Sequence, residues 1–232
     1  MYQDIKVVAL DADDTLWVNE PLFHEAQYRF GEIVSEWIAV EDVMDEHYRT
    51  EVQNIPVFGY GIKGFTLSLI ETALRVSDRK VSAEQIVQII QIGRDLIHHP
   101  VELIDGVQET LDSLSESHRL ILATKGDLLD QERKLERSGL SSYFHHVEVM
   151  SDKSESSYRK LLKHLDIAAE QFLMIGNSVR SDIDPVLRVG GYAIHVPFEV
   201  EWMHERVEDF DESHSNFRRV QKLSEVCEFL DC

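Results

Sequence analysis

Acidic side chains are crowded at the end of the first apolar segment of the chain. Residues 7–17 have the sequence VVALDADDTLW, so Asp11, Asp13 and Asp14 directly follow a run of apolar residues typical of a buried strand. Carboxylates this close together repel one another unless something positive lies among them. A carboxylate can also attack as a nucleophile, and a second one nearby can act as general acid and base. The segment therefore predicts a site for a cation and for covalent chemistry at this strand end.

Polar side chains also follow the later strand-like segments. They are Thr124, Lys125 and Gly126 after the second segment, Lys153 after the third, and Asn177 and Asp182 after the fourth. In open α/β sheets, ligands bind at the carboxyl ends of the strands. We therefore expect these groups to converge with the first acids at one rim of a sheet. Such a combination is far less probable by accident than any one of its members.

Strand-like and helical segments alternate along most of the chain. The short apolar runs lack strict polar alternation, as strands covered on both faces should, and they lie at 5–10, 119–123, 146–150, 171–175 and 192–197. Between them are segments with apolar residues at three- and four-residue spacings, which indicate helices. This order predicts right-handed crossovers and a doubly wound, parallel α/β core.

Residues 17–102 interrupt this alternation and are too many for a loop. Helices are predicted to begin near Asn19 and Pro21 and to cover 41–53, 65–76 and 82–97, the last opened by a Ser82–Gln85 capping box. The pattern predicts an all-helical insertion after the first strand. Residues 1–16 and 103–232 would then form the core domain, and 17–102 the inserted helical domain.

The composition narrows the classes of partner. The chain has 23 Lys and Arg against 43 Asp and Glu, a formal net charge of −20, which disfavours nucleic-acid binding. The longest apolar runs fall short of a membrane span, and no basic-then-apolar leader precedes the first strand. Cys227 and Cys232 are the only cysteines, so a secreted disulfide framework is not expected. We predict a cytoplasmic protein that binds neither nucleic acid nor membrane.

Four stretches together closely resemble the motifs of the haloacid dehalogenase (HAD) superfamily. They are DADDTL at 11–16, ATKGD at 123–127, Lys153 ahead of SSYRKLL, and MIGNSVRSD at 174–182. The resemblance covers nearly the whole chain, including a helical insertion of the kind that this family uses as a cap. It implies a Rossmann-like core with a small helical cap, and a Mg²⁺-dependent phosphatase acting on a small phosphorylated metabolite.

The resemblance also implies roles for individual residues. Asp11 would be the nucleophile that forms an aspartyl-phosphate, and Asp13 the general acid and base. Thr124 and Lys153 would complete the catalytic set, the first through its hydroxyl and the second by offsetting negative charge.

Phosphate and metal contacts follow from the same resemblance. Ala12, Lys125 and Gly126 would bind the substrate, with the amides of Lys125 and Gly126 contacting phosphate oxygens. Mg²⁺ would be held by Asp11, the backbone carbonyl of Asp13, and the motif around Asn177 and Asp182. Mg²⁺ prefers such hard oxygen ligands.

One position departs from the family pattern, because Asn177 stands where an acid is usual. Dehalogenating relatives carry an amide near this motif and work without metal, so a metal-independent 2-haloacid dehalogenase is an alternative. These relatives lack an acid at the position of Asp13, which favours phosphate chemistry here. A phosphoacceptor module resembling response-regulator receivers, or a degenerate substrate-binding pseudoenzyme, also remains open. The sequence predicts neither the particular substrate nor the oligomeric state.

Two further patterns have ordinary structural explanations. GYGIKG at 59–64 matches a dinucleotide-binding fingerprint, but no buried parallel strand is predicted just before it. The adjacent pairs His98–His99 and His145–His146 place their side chains on different sides of the chain, which is not a metal-ligand spacing. We therefore expect a loop at 59–64 and structural or exposed histidines.

Overall fold

A computed structural model describes Tyr2 and residues 4–230 of the chain. The chain forms two compact units, which are described separately. The first comprises the chain up to Val18, residues 101–125 and residues from 131 onward. The second comprises residues 19–100 together with 126–130. Cys227 is a free thiol, and Cys232 lies outside the described residues.

The first unit is built on one parallel sheet. Within the described residues its strands are β1 (Val7–Leu10), β2 (Arg119–Lys125), β3 (His146–Met150), β4 (Phe172–Gly176), β5 (Tyr192–His195) and β6 (Phe217–Arg219). Their order across the sheet is β3-β2-β1-β4-β5-β6, and every neighbouring pair is parallel. The predicted Rossmann-like, doubly wound class is confirmed. The strand β6 was not among the predicted ones.

The second unit consists of helices. They are α1 (Glu20–Val34), α2 (Val40–Phe58), α3 (Ile62–Val76) and α4 (Ala83–His98). The Ser82–Gln85 capping box at the start of α4 is confirmed, with both reciprocal hydrogen bonds present. In the GYGIKG stretch only residues 59–61 lie between helices, because α3 begins at Ile62, so the loop expected over 59–64 is shorter than predicted. The helix α2, and not a strand, directly precedes the stretch, which agrees with a coincidental match to the dinucleotide fingerprint. Within this unit, Lys63 Nζ lies 2.9 Å from both carboxylate oxygens of Asp127.

Helices cover both faces of the sheet. They are α5 (Val107–Ser117), α6 (Leu128–Ser138), α7 (Glu155–Leu165) and α8 (Asp184–Arg188). Alternate residues of β1 enter opposite layers: Val8 and Leu10 join one apolar cluster, while Val7 and Ala9 join the other. This explains why the sequence of β1 is apolar throughout. Among the described residues, none of the helices has the length and apolarity that crossing a membrane requires.

A buried histidine lies in the core of the helical unit. The His47 ring packs edge-on against Phe65, with ring centroids 4.8 Å apart, and its Nδ1 lies 3.1 Å from the amide nitrogen of Gln27. Burial lowers the pKa of His47 to about 4. The neutral ring is therefore the form compatible with the folded helical unit.

The low pKa of His47 predicts an acid-sensitive helical unit. Its pKa in the folded state lies below the ordinary value of 6.5, so the stabilisation is complete above pH 6.5 and is lost as the pH falls towards 4. At pH 5 the loss is about 2 kcal/mol. We expect the Tm of the wild type to fall more between pH 7 and pH 5 than that of His47→Gln. Calorimetry at both pH values measures this difference.

The matched control is His98→Gln, which removes an exposed histidine from the same unit. Its Tm should depend on pH as the wild type does. Equal slopes for His47→Gln and the wild type would contradict the assignment of the acid sensitivity to His47.

Candidate active site

A tight turn after β1 carries the first acids. The Asp11 amide donates to the Ile175 carbonyl of β4 at 2.9 Å, which continues the sheet pairing by one residue. The chain then turns, and the carbonyl of Ala12 accepts the Leu16 amide at 2.8 Å. Asp14 takes a left-handed backbone conformation, with φ +59°, in this turn. The turn places Asp11 at the carboxyl end of the central strand, between β2 and β4.

A buried lysine connects two buried carboxylates at this rim. Lys153 Nζ donates to Asp11 Oδ1 and to Asp182 Oδ1, each at 2.5 Å. Its side chain is 1% exposed and that of Asp182 is 1% exposed. Burial by itself lowers the pKa of Lys153, but the two carboxylates outweigh this effect and raise it to about 12. Lys153 is therefore a fixed positive charge inside the site.

Asp11 is buried and shares the Lys153 ammonium with a second carboxylate, that of Asp182. Burial raises the pKa of Asp11 to about 7, the Lys153 ammonium opposes this rise, and the carboxylates of Asp182 and Asp13 add to it. The site therefore favours a second cation beside the Asp11 carboxylate.

Side-chain oxygens converge next to Asp11 Oδ2. The Thr15 hydroxyl lies 3.4 Å from Asp11 Oδ2 and 3.4 Å from Asn177 Oδ1. It also accepts a hydrogen bond from the backbone amide of Asn177 at 3.1 Å. His195 Nε2 lies 2.9 Å from the Asn177 carbonyl and anchors that residue from the next strand. A carboxylate and an amide oxygen on either side of one hydroxyl fit the hard oxygen ligands that Mg²⁺ takes.

The loop after β4 positions Asp182. A π-helical turn (Val179–Ile183) follows Ser178, whose backbone amide donates to Asp182 Oδ2 at 3.0 Å. Tyr158 on α7 donates its hydroxyl to the Ser181 carbonyl at 3.0 Å. A Cβ at Gly176 would lie 2.3 Å from Asp182 Oδ2, so only glycine allows this approach. Both carboxylate oxygens of Asp182 thus accept hydrogen bonds from the protein.

Three donors surround the carboxylate of Asp13. Trp17 Nε1 donates to Oδ1 at 2.6 Å, Gln131 Nε2 to Oδ2 at 2.8 Å, and Lys134 Nζ to Oδ1 at 3.0 Å. Gln131 and Lys134 are three residues apart on α6, so they lie on one face of that helix. These contacts fix the orientation of the Asp13 side chain.

The end of β2 carries the next group of predicted residues. Thr124 is buried, and its hydroxyl donates to the Lys125 carbonyl at 3.2 Å. The Lys125 ammonium donates to Ser181 Oγ at 2.8 Å and forms an ion pair with Glu205. Gly126 follows directly, with φ +134°, and belongs to the second compact unit.

Glu205 connects three loops at this rim. It lies in a short 3-10 helix (Met203–Glu205) after β5 and accepts hydrogen bonds from Lys125, Ser178 and Ser181. Burial alone would raise the pKa of Glu205, but the Lys125 ammonium and the two hydroxyls hold it at about 2. The carboxylate is therefore ionised and keeps the Lys125 ammonium neutralised.

A protein-family model described as haloacid dehalogenase-like hydrolase matches residues 5–190. The chain belongs to the haloacid dehalogenase-like hydrolase family. It is therefore a HAD hydrolase, and the recognition of the family from its four motifs is confirmed.

Solved structures support the same family. A haloacid dehalogenase-like family hydrolase from Xanthomonas campestris is 38% identical, with a TM-score of 0.87, and the match covers 98% of this chain and 91% of that one. A 2-haloacid dehalogenase from Pseudomonas syringae pv. tomato is 21% identical, with a TM-score of 0.65 and 98% of both chains covered. A HAD phosphatase from Thermococcus onnurineus is 17% identical, with a TM-score of 0.63, and the match covers 97% of this chain and 98% of that one. No curated protein matches the chain.

Within the core unit of this HAD hydrolase, hydrogen bonds link four of the side chains singled out from the sequence, one of them through Thr15, whereas those of Asp13, Thr124 and Lys125 bond to other groups. Lys153 contacts Asp11 and Asp182, and Thr15 links Asp11 to Asn177. The Lys125 ammonium instead forms an ion pair with Glu205.

Sequence reasoning assigned no role to several residues that position this site: Thr15, Trp17, Gln131, Lys134, Tyr158, Ser178, Ser181, His195 and Glu205. The spacing of Gln131 and Lys134 on a helix directly after the ATKGD motif was a usable signal for two of them. Nothing local marks Glu205, which lies 80 residues beyond its partner Lys125.

The Glu205 ion pair gives a stability prediction. Glu205→Gln leaves the Lys125 ammonium without its carboxylate, and breaking such a pair costs about 3–5 kcal/mol of unfolding free energy. Because the folded-state pKa of Glu205 lies below 4.5, its stabilisation is complete above pH 4.5 and is lost as the pH falls towards 2. Denaturant unfolding at pH 7 and pH 3.5 should show a smaller difference from wild type at the lower pH.

Glu201→Gln is the matched control in the same segment. Glu201 Oε2 lies 3.9 Å from Arg206 Nε in an exposed pair, so the change should cost less than about 1 kcal/mol. A Glu205→Gln variant as stable as Glu201→Gln would show that the buried ion pair is unimportant.

Proposed function

We propose that this HAD hydrolase is a Mg²⁺-dependent phosphatase that hydrolyses a small phosphorylated metabolite through an aspartyl-phosphate on Asp11. The observation that carries the proposal is the buried Lys153 ammonium between Asp11 and Asp182, beside the oxygens of Thr15 and Asn177. A nucleophilic carboxylate needs nearby positive charge to approach an anionic phosphoryl group, and Lys153 supplies it at the nucleophile itself.

The reaction has two displacements. In the first, a carboxylate oxygen of Asp11 bonds to phosphorus, the ester oxygen leaves, and Asp13 gives that oxygen a proton. In the second, water attacks phosphorus and loses a proton to Asp13, while the bond between phosphorus and Asp11 breaks and releases inorganic phosphate. Asp13 thus returns to its starting protonation state.

The contacts of Asp13 suit its proposed roles as proton donor and proton acceptor. Trp17, Gln131 and Lys134 hold its carboxylate in one orientation, which lowers the entropic cost of each proton transfer. Lys134 also stabilises the carboxylate that remains after Asp13 has given up its proton. We therefore propose Gln131 and Lys134 as residues that position the general acid and base.

The described residues fit a magnesium ion through oxygen ligands. Asp11, the backbone carbonyl of Asp13 and the Asn177 amide oxygen would hold it, and Asp182 would add negative charge, since both of its oxygens already accept protein hydrogen bonds. When bound, Mg²⁺ neutralises charge on the phosphoryl oxygens and orients the transferring group. Thr124 and the backbone amides around Ala12, Lys125 and Gly126 would complete the contacts to these oxygens.

The alternatives account less well for Asp13. A carbon–halogen hydrolase that works without metal needs no acid for a departing halide, whereas an alkoxide leaving group does. A receiver-like phosphoacceptor is disfavoured because receivers have no long insertion after the first strand. A degenerate pseudoenzyme would retain this geometry without turnover, and the experiment below distinguishes it.

We further infer that the helical unit, approximately residues 17–102, acts as the cap that selects the substrate, with residues 1–16 and 103–232 as the catalytic domain. The net charge of −20 supports a small substrate over a nucleic acid. From the composition we also propose that the protein is located in the cytoplasm.

Asp11→Asn removes the nucleophile and should abolish release of p-nitrophenol from p-nitrophenyl phosphate. We expect the rate to fall at least about a thousandfold, because an amide cannot form the aspartyl-phosphate. EDTA should stop the wild-type reaction, and added Mg²⁺ should restore it. Spectrophotometric assays with and without metal measure both effects.

Asp209→Asn, an exposed change in the same unit, is the control and should keep the wild-type rate. Turnover by Asp11→Asn equal to wild type would refute the mechanism. Metal-independent chloride release from 2-chloropropionate, without phosphatase activity, would support the dehalogenase. The absence of both activities over a panel of phosphorylated sugars, nucleotides and small acids would support the pseudoenzyme.

Asn177→Asp should tighten Mg²⁺ binding, because it replaces a neutral amide oxygen with a carboxylate next to Asp11. We expect the Mg²⁺ concentration that gives half-maximal activity to fall about tenfold, corresponding to roughly 1.4 kcal/mol. Titrating activity with Mg²⁺ in both proteins tests this. Equal half-saturating concentrations would show that position 177 does not contribute to metal binding.

A further inference from the structure

A second cluster of metal-ligating side chains lies away from the proposed phosphatase site. His146 and Glu148 are on β3, and His164 is in the last turn of α7. One ligand atom from each of the three residues lies within 4.8 Å of the others. The His146 and Glu148 side chains are 28% and 33% exposed, so a cation from solvent can reach them.

The fold explains why these three side chains meet. His146 and Glu148 pair in register with Ile121 and Ala123 of β2, which face the apolar layer that α7 covers. Because side chains alternate along a strand, His146 and Glu148 point to that same face. At the edge of the layer, the His164 ring packs edge-on against His146, with centroids 5.2 Å apart.

The adjacent histidines His145 and His146 were expected to be structural or exposed, but His146 belongs to this cluster. His145 lies in the bend before β3 and is not part of the cluster, so the two adjacent histidines do not form a site together. The cluster arises instead from a spacing of two along the strand and from a histidine on the following helix. Neither relationship is visible from the HH pair itself.

The donor set has the chemistry of a transition-metal site. Two imidazole nitrogens with one carboxylate oxygen are ligands that Zn²⁺ and its first-row neighbours accept, whereas Mg²⁺ prefers oxygen alone. His146 Nε2 is already 2.9 Å from Glu148 Oε2. Ligand atoms of a tetrahedral zinc site lie about 3.3 Å apart, given bonds of about 2.0–2.1 Å. Small rotations of these side chains, which are exposed or partly exposed, would bring the three ligand atoms from within 4.8 Å of one another to that separation.

We propose that His146, Glu148 and His164 form a binding site for Zn²⁺ or a similar divalent transition metal, with water completing the coordination. The site is independent of the proposed phosphatase chemistry. It lies at the start of β3, about 13 Å along the strand from its carboxyl end. Its ligands come from β3 and from α7, and the loop between these two elements carries Lys153. Metal binding would therefore link β3 to α7 and stabilise the folded state.

The test uses the full chain with any purification tag and bound metal removed, in buffer with excess Mg²⁺. Zn²⁺ is titrated by calorimetry, and Co²⁺ by its visible absorption. We expect one equivalent of each metal to bind to the wild type, and Zn²⁺ to raise its Tm. His164→Ala should weaken binding at least tenfold and remove the shift in Tm, and Glu148→Gln should weaken binding about tenfold.

His98→Ala is the control, because it removes an exposed histidine from the other unit and should leave binding unchanged. Circular dichroism of His164→Ala checks its fold. Because His164 is exposed, we expect this variant to fold normally, so that a loss of binding reports the loss of the ligand. Equal Zn²⁺ affinity of His164→Ala and wild type would overturn the proposal. So would the absence of stoichiometric binding by the wild type, or an equal loss in His98→Ala.

Discussion

The site depends on the compensation of buried charge. Asp11 and Asp182 are both removed from water, and the Lys153 ammonium between them is the contact that makes this arrangement possible. One positive charge against two carboxylates leaves the group negative, and burial, together with the Asp182 carboxylate, raises the pKa of Asp11 despite the Lys153 ammonium. The same imbalance makes the rim a suitable place for a further cation. Folding and the proposed chemistry therefore share one electrostatic requirement.

The remaining elements restrict the position of these charges. β1 lies between β2 and β4, so Asp11 emerges between the end of β2, which carries Thr124, and the turn after β4, which carries Asp182. Gly176 lets the Asp182 carboxylate lie directly against the backbone of β4, and Ser178 holds its second oxygen. The Asp13 side chain, the proposed general acid and base, is fixed separately, from α6, through Gln131 and Lys134. The proposed nucleophile and the proposed proton donor are thus anchored by different parts of the sheet unit.

The sequence was sufficient for those features that repeat a local pattern. The apolar runs predicted five of the strands, because strands buried on both faces need apolar residues throughout, and the capping box marked the start of α4. The strand β6 escaped notice because it is short, lies at the sheet edge and contains Arg218 and Arg219. The acids and Lys153 could be predicted from motif order and the strand-end rule.

The residues that hold the acids and Lys153 in place could not be predicted from the sequence, because their contacts join distant parts of the chain. Glu205 is 80 residues from Lys125, and Asp13 is 118 residues from Gln131. Such pairings have no periodicity to detect. They become apparent only when the sheet order brings separate loops to the same rim.

Glu205 also bears on how much chain the catalytic unit requires. The segment shared with the family model ends at residue 190, before β5, β6 and the loop that carries this carboxylate. A protein shortened to the shared segment would expose an edge of β4 and leave a cation and two seryl hydroxyls without their common acceptor. We therefore expect the sheet unit to need residues beyond the region that defines its family for its full stability.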